Sequence, residues 1–270
     1  MEYGISIKYF SRSADLAKTA ERVAKAGFTM LDYTPATKED NWAKEMKEAL
    51  AIFDSCGLKV HQTHAPFNRY GEYRGMHEKC IDRCAEATEY LGAEFMAVHG
   101  DEFDFENRAF SPEAAQDYNH RLFYPYVEQA EKSGFKVAFE TVFEDSLGVR
   151  RYTSRENELL ELIRSFSSDH AVCCWDFGHA NVSFNKHSPD VIRRFGSLIQ
   201  CTHLHDNTGV DAHQIPLTGD IDWNAVMGAF KEIGYAGVTS IEYAHGKIPE
   251  ELQEDFLRLS YRMAAHLWTL

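Results

Sequence analysis

The stretch Val172-Cys173-Cys174-Trp175-Asp176-Phe177-Gly178-His179 ends an apolar, strand-like run in an Asp and sets a His three residues beyond it. An ionised carboxylate buried at such a place needs a cation or several donors around it. The plainer alternative is an Asp that only caps the helix that follows. The same pairing of an apolar run with an ionisable end recurs along the chain: Asp32 near the end of 28–33, His61 and His64 in 59–64, His99 in 95–99, Glu140 in 136–141, His203 and His205 in 200–205, and Glu242 in 238–243. If Glu140, Asp176 and Glu242 converge, three carboxylates repel strongly unless a cation sits between them. Oxygen ligands with one imidazole suit Mn²⁺, Mg²⁺, Co²⁺ or Zn²⁺. His203 and His205 lie two apart on one strand and point to the same side. His203 is the preferred ligand and His205 the alternative, because His203 precedes the Leu-His-Asp-Asn turn that leads the chain away. Asp211-Ala212-His213 then offers an Asp and a His for a second ion together with His179, or for substrate hydroxyls, and Gly219 permits a close turn over the site.

These residues need elements to hold them. Gly27, Gly57, Gly92, Gly134 and Gly234 each follow a helical run and precede an apolar one, the signature of a helix-to-strand turn. Its repetition implies alternating βα units and a parallel sheet. Strands are expected at 3–8, 28–33, 59–64, 95–99, 136–141, 171–176, 200–205 and 238–243. Between them, Ser13 is expected to cap the first helix and Asp40 or Asn41 the second, while Ser111 and Ser188 cap helices that open with Pro112 and Pro189. Asp222 is expected to cap the helix before the last strand, and Pro249 opens a terminal helix reaching about Leu267. Eight such units without a linker make residues 1–270 a single α/β domain, a (β/α)8 TIM barrel. A doubly wound sheet would bring a glycine-rich loop after the first strand, and Lys8-Tyr9-Phe10-Ser11-Arg12 has none. In a barrel, active-site groups stand at the C-terminal strand ends, which is where these acids and histidines fall. Asp32 is assigned a capping or bridging role and left outside the site.

The net charge of −14 argues against a broad basic surface for nucleic acid. No apolar run approaches the ~18 residues that span a bilayer, and the N-terminal residues lack signal-peptide character. The six cysteines make no zinc-ribbon spacing, so reduced thiols in a cytoplasmic protein are expected. Arg69, Arg74, Arg150 and Arg151 stand on expected βα loops, where each reads as solvated surface before it reads as a phosphate ligand.

The chain resembles the xylose isomerase-like barrel superfamily, in particular its sugar isomerases and epimerases, over essentially its whole length. The resemblance rests on His-Ala-Pro-Phe at 64–67, Val-His-Gly at 98–100, Ala-Phe-Glu-Thr at 138–141, Trp-Asp-Phe-Gly-His at 175–179, His-Leu-His-Asp-Asn at 203–207, Asp-x-His at 211–213 and Ile-Glu-Tyr at 241–243. It implies one divalent ion, Mn²⁺ before Zn²⁺, Co²⁺ or Mg²⁺, held by Glu140, Asp176, His203 and Glu242. It also implies Glu140 and Glu242 as the proton-transfer pair acting through a metal-stabilised enediolate. His64, His99, His179, Asp211 and His213 are then substrate-binding residues or ligands of a second or third ion. A small-molecule ketose, sugar acid or sugar phosphate is the expected substrate, with no nucleic acid or membrane partner and with homo-oligomerisation compatible. The superfamily's abasic-site endonucleases use the same ligand types, so a multi-zinc phosphodiesterase is the alternative. Against it, Thr141-Val142-Phe143-Glu144-Asp145 lacks the Asn-Thr-Ala-Gly run of those nucleases, and the loop at 207–214 lacks their Arg. The best-known ketose 3-epimerases carry an Arg where this chain has His213. A non-catalytic sugar-binding barrel is the third reading.

Overall fold

The helix-ending glycines take the conformation their positions call for. Gly27, Gly57, Gly92, Gly134 and Gly234 all have φ between +64° and +107°, a region open to glycine at no Cβ cost. The structure, a computed structural model, describes residues 1–7, 15–67, 74–100, 111–144, 151–243 and 248–270, with the side chains of 74 and 75 excepted. Eight strands pair in sequence order and close into a barrel, all parallel: β1 (Tyr3–Ser6), β2 (Met30–Tyr33), β3 (Lys59–His64), β4 (Phe95–Val98), β5 (Lys136–Glu140), β6 (Ala171–Asp176), β7 (Ile199–Leu204) and β8 (Thr239–Ile241). The ring closes where β8 meets β1, Thr239 lying opposite Tyr3 and Ile241 opposite Ile5. The chain is therefore a (β/α)8 barrel.

Helices cover the outside: α1 (Leu16–Ala26), α2 (Trp42–Ser55), α3 (Arg74–Leu91), α4 (Pro112–Ser133), α5 (Glu156–Ser165), the pair α6 (Phe177–Ser183) and α7 (Ser188–Phe195), α8 (Trp223–Glu232) and α9 (Gln253–Leu267). Alternation along each strand divides the core. Val137, Phe139, Cys173, Trp175, Leu204 and Ile241 face outward into the helix-packed core. Phe95, Ala138, Val172, Cys174 and Cys201 form a separate apolar cluster inside the barrel. Two residues further along β5, β6 and β7, the same inward face carries Glu140, Asp176 and His203. Register shifts at Leu31/Asp32 and Cys173/Cys174 adjust which residues point inward on β2, β3 and β6.

The caps differ in part from expectation. Ser111 and Asp222 do cap α4 and α8, accepting from Ala114 N and Ala225 N. Asp15, however, caps α1, accepting from Ala17 N, while Ser13 and Lys8 lie outside the described residues. Asn41 stands at the N-cap of α2 but its amide donates to Glu45 Oε1 instead. Ser188 is the first residue of α7, not its cap, and its hydroxyl donates to Ala180 O. All six cysteines are free. Burial pushes the Cys173 and Cys174 thiols well up, as expected of packing groups. No helix among the described residues is long and apolar enough to cross a membrane.

Candidate metal centre

Four strands deliver the central group. Glu140 from β5, Asp176 from β6, His203 from β7 and Glu242 just past β8 are all buried, and one ligand atom from each lies within 4.8 Å of the others. His203 Nδ1 is 3.2 Å from both Glu140 Oε1 and Glu242 Oε2, and 3.9 Å from Asp176 Oδ2. Glu140 is the common member. Its Oε2 meets His64 Nε2 at 3.0 Å and His99 Nε2 at 3.1 Å, and its Oε1 lies 3.1 Å from His179 Nδ1.

A second group stands beside the first: His179, His205, Asp211 and His213 also converge within ligating distance. His205 Nε2 contacts both oxygens of Asp176, at 2.8 and 3.0 Å, and its ring stacks on His213 at 4.0 Å. His203 thus belongs to the central group and His205 to the neighbouring one. Gly178 makes this possible, since a Cβ there would collide with the His205 ring.

The histidines are oriented as ligands are. Those of residues 64, 179 and 213 place Nδ1 against a backbone carbonyl: Ala65 O at 2.8 Å, Thr141 O at 3.0 Å and Glu242 O at 2.6 Å. An imidazole whose Nδ1 donates to the backbone has its ring orientation fixed and its Nε2 turned toward the site. Nε2 of His64 accordingly faces Glu140, and those of His179 and His213 face Asp211 at 3.9 and 3.4 Å.

At the centre, carboxylates and imidazoles favour one another's charged forms against the cost of burial. Burial alone would push His203 down, but Glu140 and Glu242, with Asp32 beside the other nitrogen, raise it well above its ordinary value. Burial likewise opposes ionisation of Glu140, and the imidazoles of His203 and His99 overturn that, holding it well below the usual carboxylate range. Burial holds His99 down to about 4, whereas Glu140 outweighs burial at His64 and raises it. Four buried atoms at the centre, Glu140 Oε1, Asp32 Oδ1 and both nitrogens of His203, have no hydrogen-bond partner. Buried polar atoms without partners cost free energy, and a divalent cation among three carboxylates and an imidazole would satisfy Glu140 Oε1 and one His203 nitrogen. The donor set fits such an ion.

Several residues depart from the sequence reading. Asp32 is neither a cap nor a bystander: it is 1 % exposed, lies 3.4 Å from His203 Nε2, and accepts from Gln62 Nε2 at 3.2 Å. It backs His203 from behind. His61 is not at the mouth but deeper in the barrel, its ring 5.2 Å from Phe95 and its Nδ1 3.8 Å from Glu94. Asp206 went unassigned, yet its carboxylate accepts from the backbone of Asn207 and Leu217 and from the Trp223 indole at 2.8 to 2.9 Å. It folds the β7–α8 loop back so that Asp211 and His213 reach the site. A Cβ at Gly219 would strike that carboxylate. Arg151, expected at the surface, is 7 % exposed and lines a cavity of about 170 Å³ with Phe67, Phe143 and the residues of the mouth. Arg69 and Arg150, and the side chain of Arg74, lie outside the described residues.

A family model described as xylose isomerase-like TIM barrel matches residues 20–261. An uncharacterized protein of Methanocaldococcus jannaschii is 26 % identical over 259 residues, covering 90 % of this chain and 83 % of the relative. Among solved structures, a D-psicose 3-epimerase from Clostridium cellulolyticum H10, crystallised with D-tagatose, superposes with a TM-score of 0.81 at 15 % identity over 99 % of both chains. The IolI protein with a bound zinc atom superposes at 0.78 and 17 % identity, over 100 % of this chain and 98 % of that one.

Proposed function

The chain belongs to the xylose isomerase-like TIM-barrel family, and from that membership we propose that it is a divalent-metal-dependent isomerase or epimerase of a ketose, sugar acid or sugar phosphate, working in the cytoplasm. One observation carries the reading: Glu140 and Glu242, from separate strands, face the same nitrogen of His203 at 3.2 Å, with Asp176 completing the group. A fold shared with a sugar 3-epimerase and a zinc-bound protein supports it.

Glu140, Asp176, His203 and Glu242 would hold the ion, with Mn²⁺ the first choice and Zn²⁺, Co²⁺ or Mg²⁺ compatible with the donors. When bound, a divalent cation supplies positive charge next to the substrate's carbonyl and hydroxyl oxygens, which makes the intervening C–H more acidic. The rest is done by the chain. Glu140 and Glu242 act as base and acid: one removes the proton beside the carbonyl and the other, or the same one, returns it. His64 and His99 hold Oε2 of Glu140 in place, and His179, Asp211 and His213 bind substrate hydroxyls. Phe67, stacked on His99 at 4.6 Å, and Phe143, 4.9 Å from His179, give the cavity two apolar walls that limit water.

A second reading has its own observation. The group of His179, His205, Asp211 and His213 is built like a further ligand set, which favours two or three ions and a zinc-dependent phosphodiesterase. Metal stoichiometry separates them: one tightly held ion per chain supports the isomerase, and about three with cleavage of an abasic duplex supports the rival. The direct test is solvent deuterium exchange into a turned-over ketose, which Glu140→Gln and Glu242→Gln should each lower by roughly 10²–10⁴-fold; exchange at the wild-type rate in both removes the proposed roles. Sugar-dependent thermal stabilisation without exchange or turnover would indicate the binding barrel instead.

A further inference from the structure

Asp32 faces the metal centre from behind without belonging to it. Its carboxylate is 1 % exposed, lies outside the candidate ligand groups, and has Oδ1 without a hydrogen-bond partner. A buried charge so placed costs folding energy unless something is gained from it. What it faces is the far side of a ligand. Oδ2 stands 3.4 Å from His203 Nε2, while His203 Nδ1 looks at Glu140 and Glu242, each at 3.2 Å. The two ring nitrogens thus divide their work, one toward the carboxylates that would hold the ion and one toward Asp32.

The strands are adjusted to put this carboxylate there. β2 lies three places round the ring from β7, so Asp32 reaches His203 across the lumen and not from a neighbouring strand. The β2–β3 register sets Met30 opposite Lys59 and Leu31 opposite Val60, then skips His61 so that Gln62 stands opposite Asp32. An irregularity of this kind re-aims a side chain. Gln62 is fully buried, and its Nε2 donates to the same Oδ2 at 3.2 Å. An acid that merely ends a strand needs neither the skipped residue nor the buried amide. A second restraint comes from β3, where the His64 ring lies 5.5 Å from that of His203 at an interplanar angle of 20°. The stack restrains the plane of the imidazole, and Asp32 the direction of Nε2–H within it. A carboxylate that accepts the remaining N–H of a ligating imidazole fixes its orientation and strengthens it as a donor to metal.

We propose that Asp32, held by Gln62, is a positioning residue for His203: it accepts the Nε2–H, aims Nδ1 at the ion, and so sets how tightly the centre holds its metal. It touches neither metal nor substrate. This deepens the metal-centre part of the proposed function and rests on it, whichever sugar is turned over.

The test titrates the metal-free full chain with Zn²⁺ and with Mn²⁺ against a competing chelator, and follows the His203 Nε2–H by proton NMR. Asp32→Leu, similar in size but without an acceptor, should weaken both ions about 10- to 100-fold. Asp32→Asn, which keeps an acceptor oxygen but not its charge, should fall between, and its partial recovery separates lost orientation from misfolding. Gln62→Met should weaken binding in the same direction and by less than Asp32→Leu. In a His203→Gln background, Asp32→Leu should add less than about threefold, because Asp32 acts through the ring and the two changes are not additive. An equal loss in both backgrounds would mean a charge acting on the ion directly, and wild-type affinity in the Asp32 variants would mean no role; either overturns the assignment. Should Asp32→Leu fail to fold, Asp32→Asn decides by the same affinity and in the same two backgrounds. In wild type the Nε2–H resonance should lie downfield and exchange slowly, and it should vanish in His203→Gln and in Asp32→Leu. If the chain takes up neither ion, the metal centre fails by itself and this resonance decides. Its loss in Asp32→Leu supports the positioning role, and its absence from wild type or its persistence in the variant overturns it.

Discussion

Ala138 and Glu140 stand two residues apart on β5 and point the same way into the barrel, yet they live in opposite surroundings. Ala138 packs with Phe95, Val172, Cys174 and Cys201 in a dry apolar plug. Glu140, about 7 Å further along the strand, is ringed by four imidazoles. The same alternation repeats on β6, where Cys174 precedes Asp176, and on β7, where Cys201 precedes His203. The plug keeps water from reaching the carboxylates from below. Charges above it are screened weakly and act on one another strongly. The floor is thus built for holding the ring, and the mouth for charge.

Moving an acid between these two regions should produce the largest effect. Cys174→Asp places an unpaired carboxylate in the plug and should cost more than about 4 kcal/mol, seen as loss of the cooperative thermal transition; a melting temperature within a few degrees of wild type would break the contrast. Removing an acid from the mouth should do the reverse. Glu140→Gln should cost roughly 10²–10⁴-fold in deuterium exchange while leaving the circular dichroism spectrum unchanged. Phe95→Ala opens a cavity in the plug and should cost about 3–5 kcal/mol in urea titration, with KM for a turned-over sugar unaltered.

The smallest effect is a pH dependence at the boundary of the plug. Burial holds His61 down to about 4, against the pull of Asp32. The unfolded chain takes up its proton near 6.5 and the folded chain only near 4, so stability falls as pH drops through that window. The total is on the order of 3 kcal/mol. His61→Phe should flatten the decline in urea midpoint between pH 6.5 and 4, and an unchanged slope would show that His61 is not its source.

The barrel was legible because its signals are local. A glycine after a helix and an apolar run after the glycine need no tertiary information, and β3 and β6 were bounded to the residue. The order of ionisable strand ends was legible for the same reason. What escaped depends on packing. Asp32 looks like any strand-end Asp until the register shift beside it turns the carboxylate toward His203. His61 looks like a mouth residue until β3 is paired, when it falls beside Phe95. Arg151 looks like solvated surface until the fold sets its guanidinium 5.0 Å over the ring of Phe143. Asp206 carried a weak signal, an acid set between two histidine-bearing motifs, and only its three donors reveal its work.

Pairing of β1 with β8 closes the ring between the first and last strands of the chain. Such a contact has the longest sequence separation of the barrel's strand pairings, so its loop-closure entropy must be met before it contributes anything. Glu242 follows directly on β8 and enters the central group only as that seam seals. Assembly of the ligand set is therefore tied to the strand pairing with the longest sequence separation, and an ion that needs Glu242 would act as a latch on the finished ring and not as a nucleus for it.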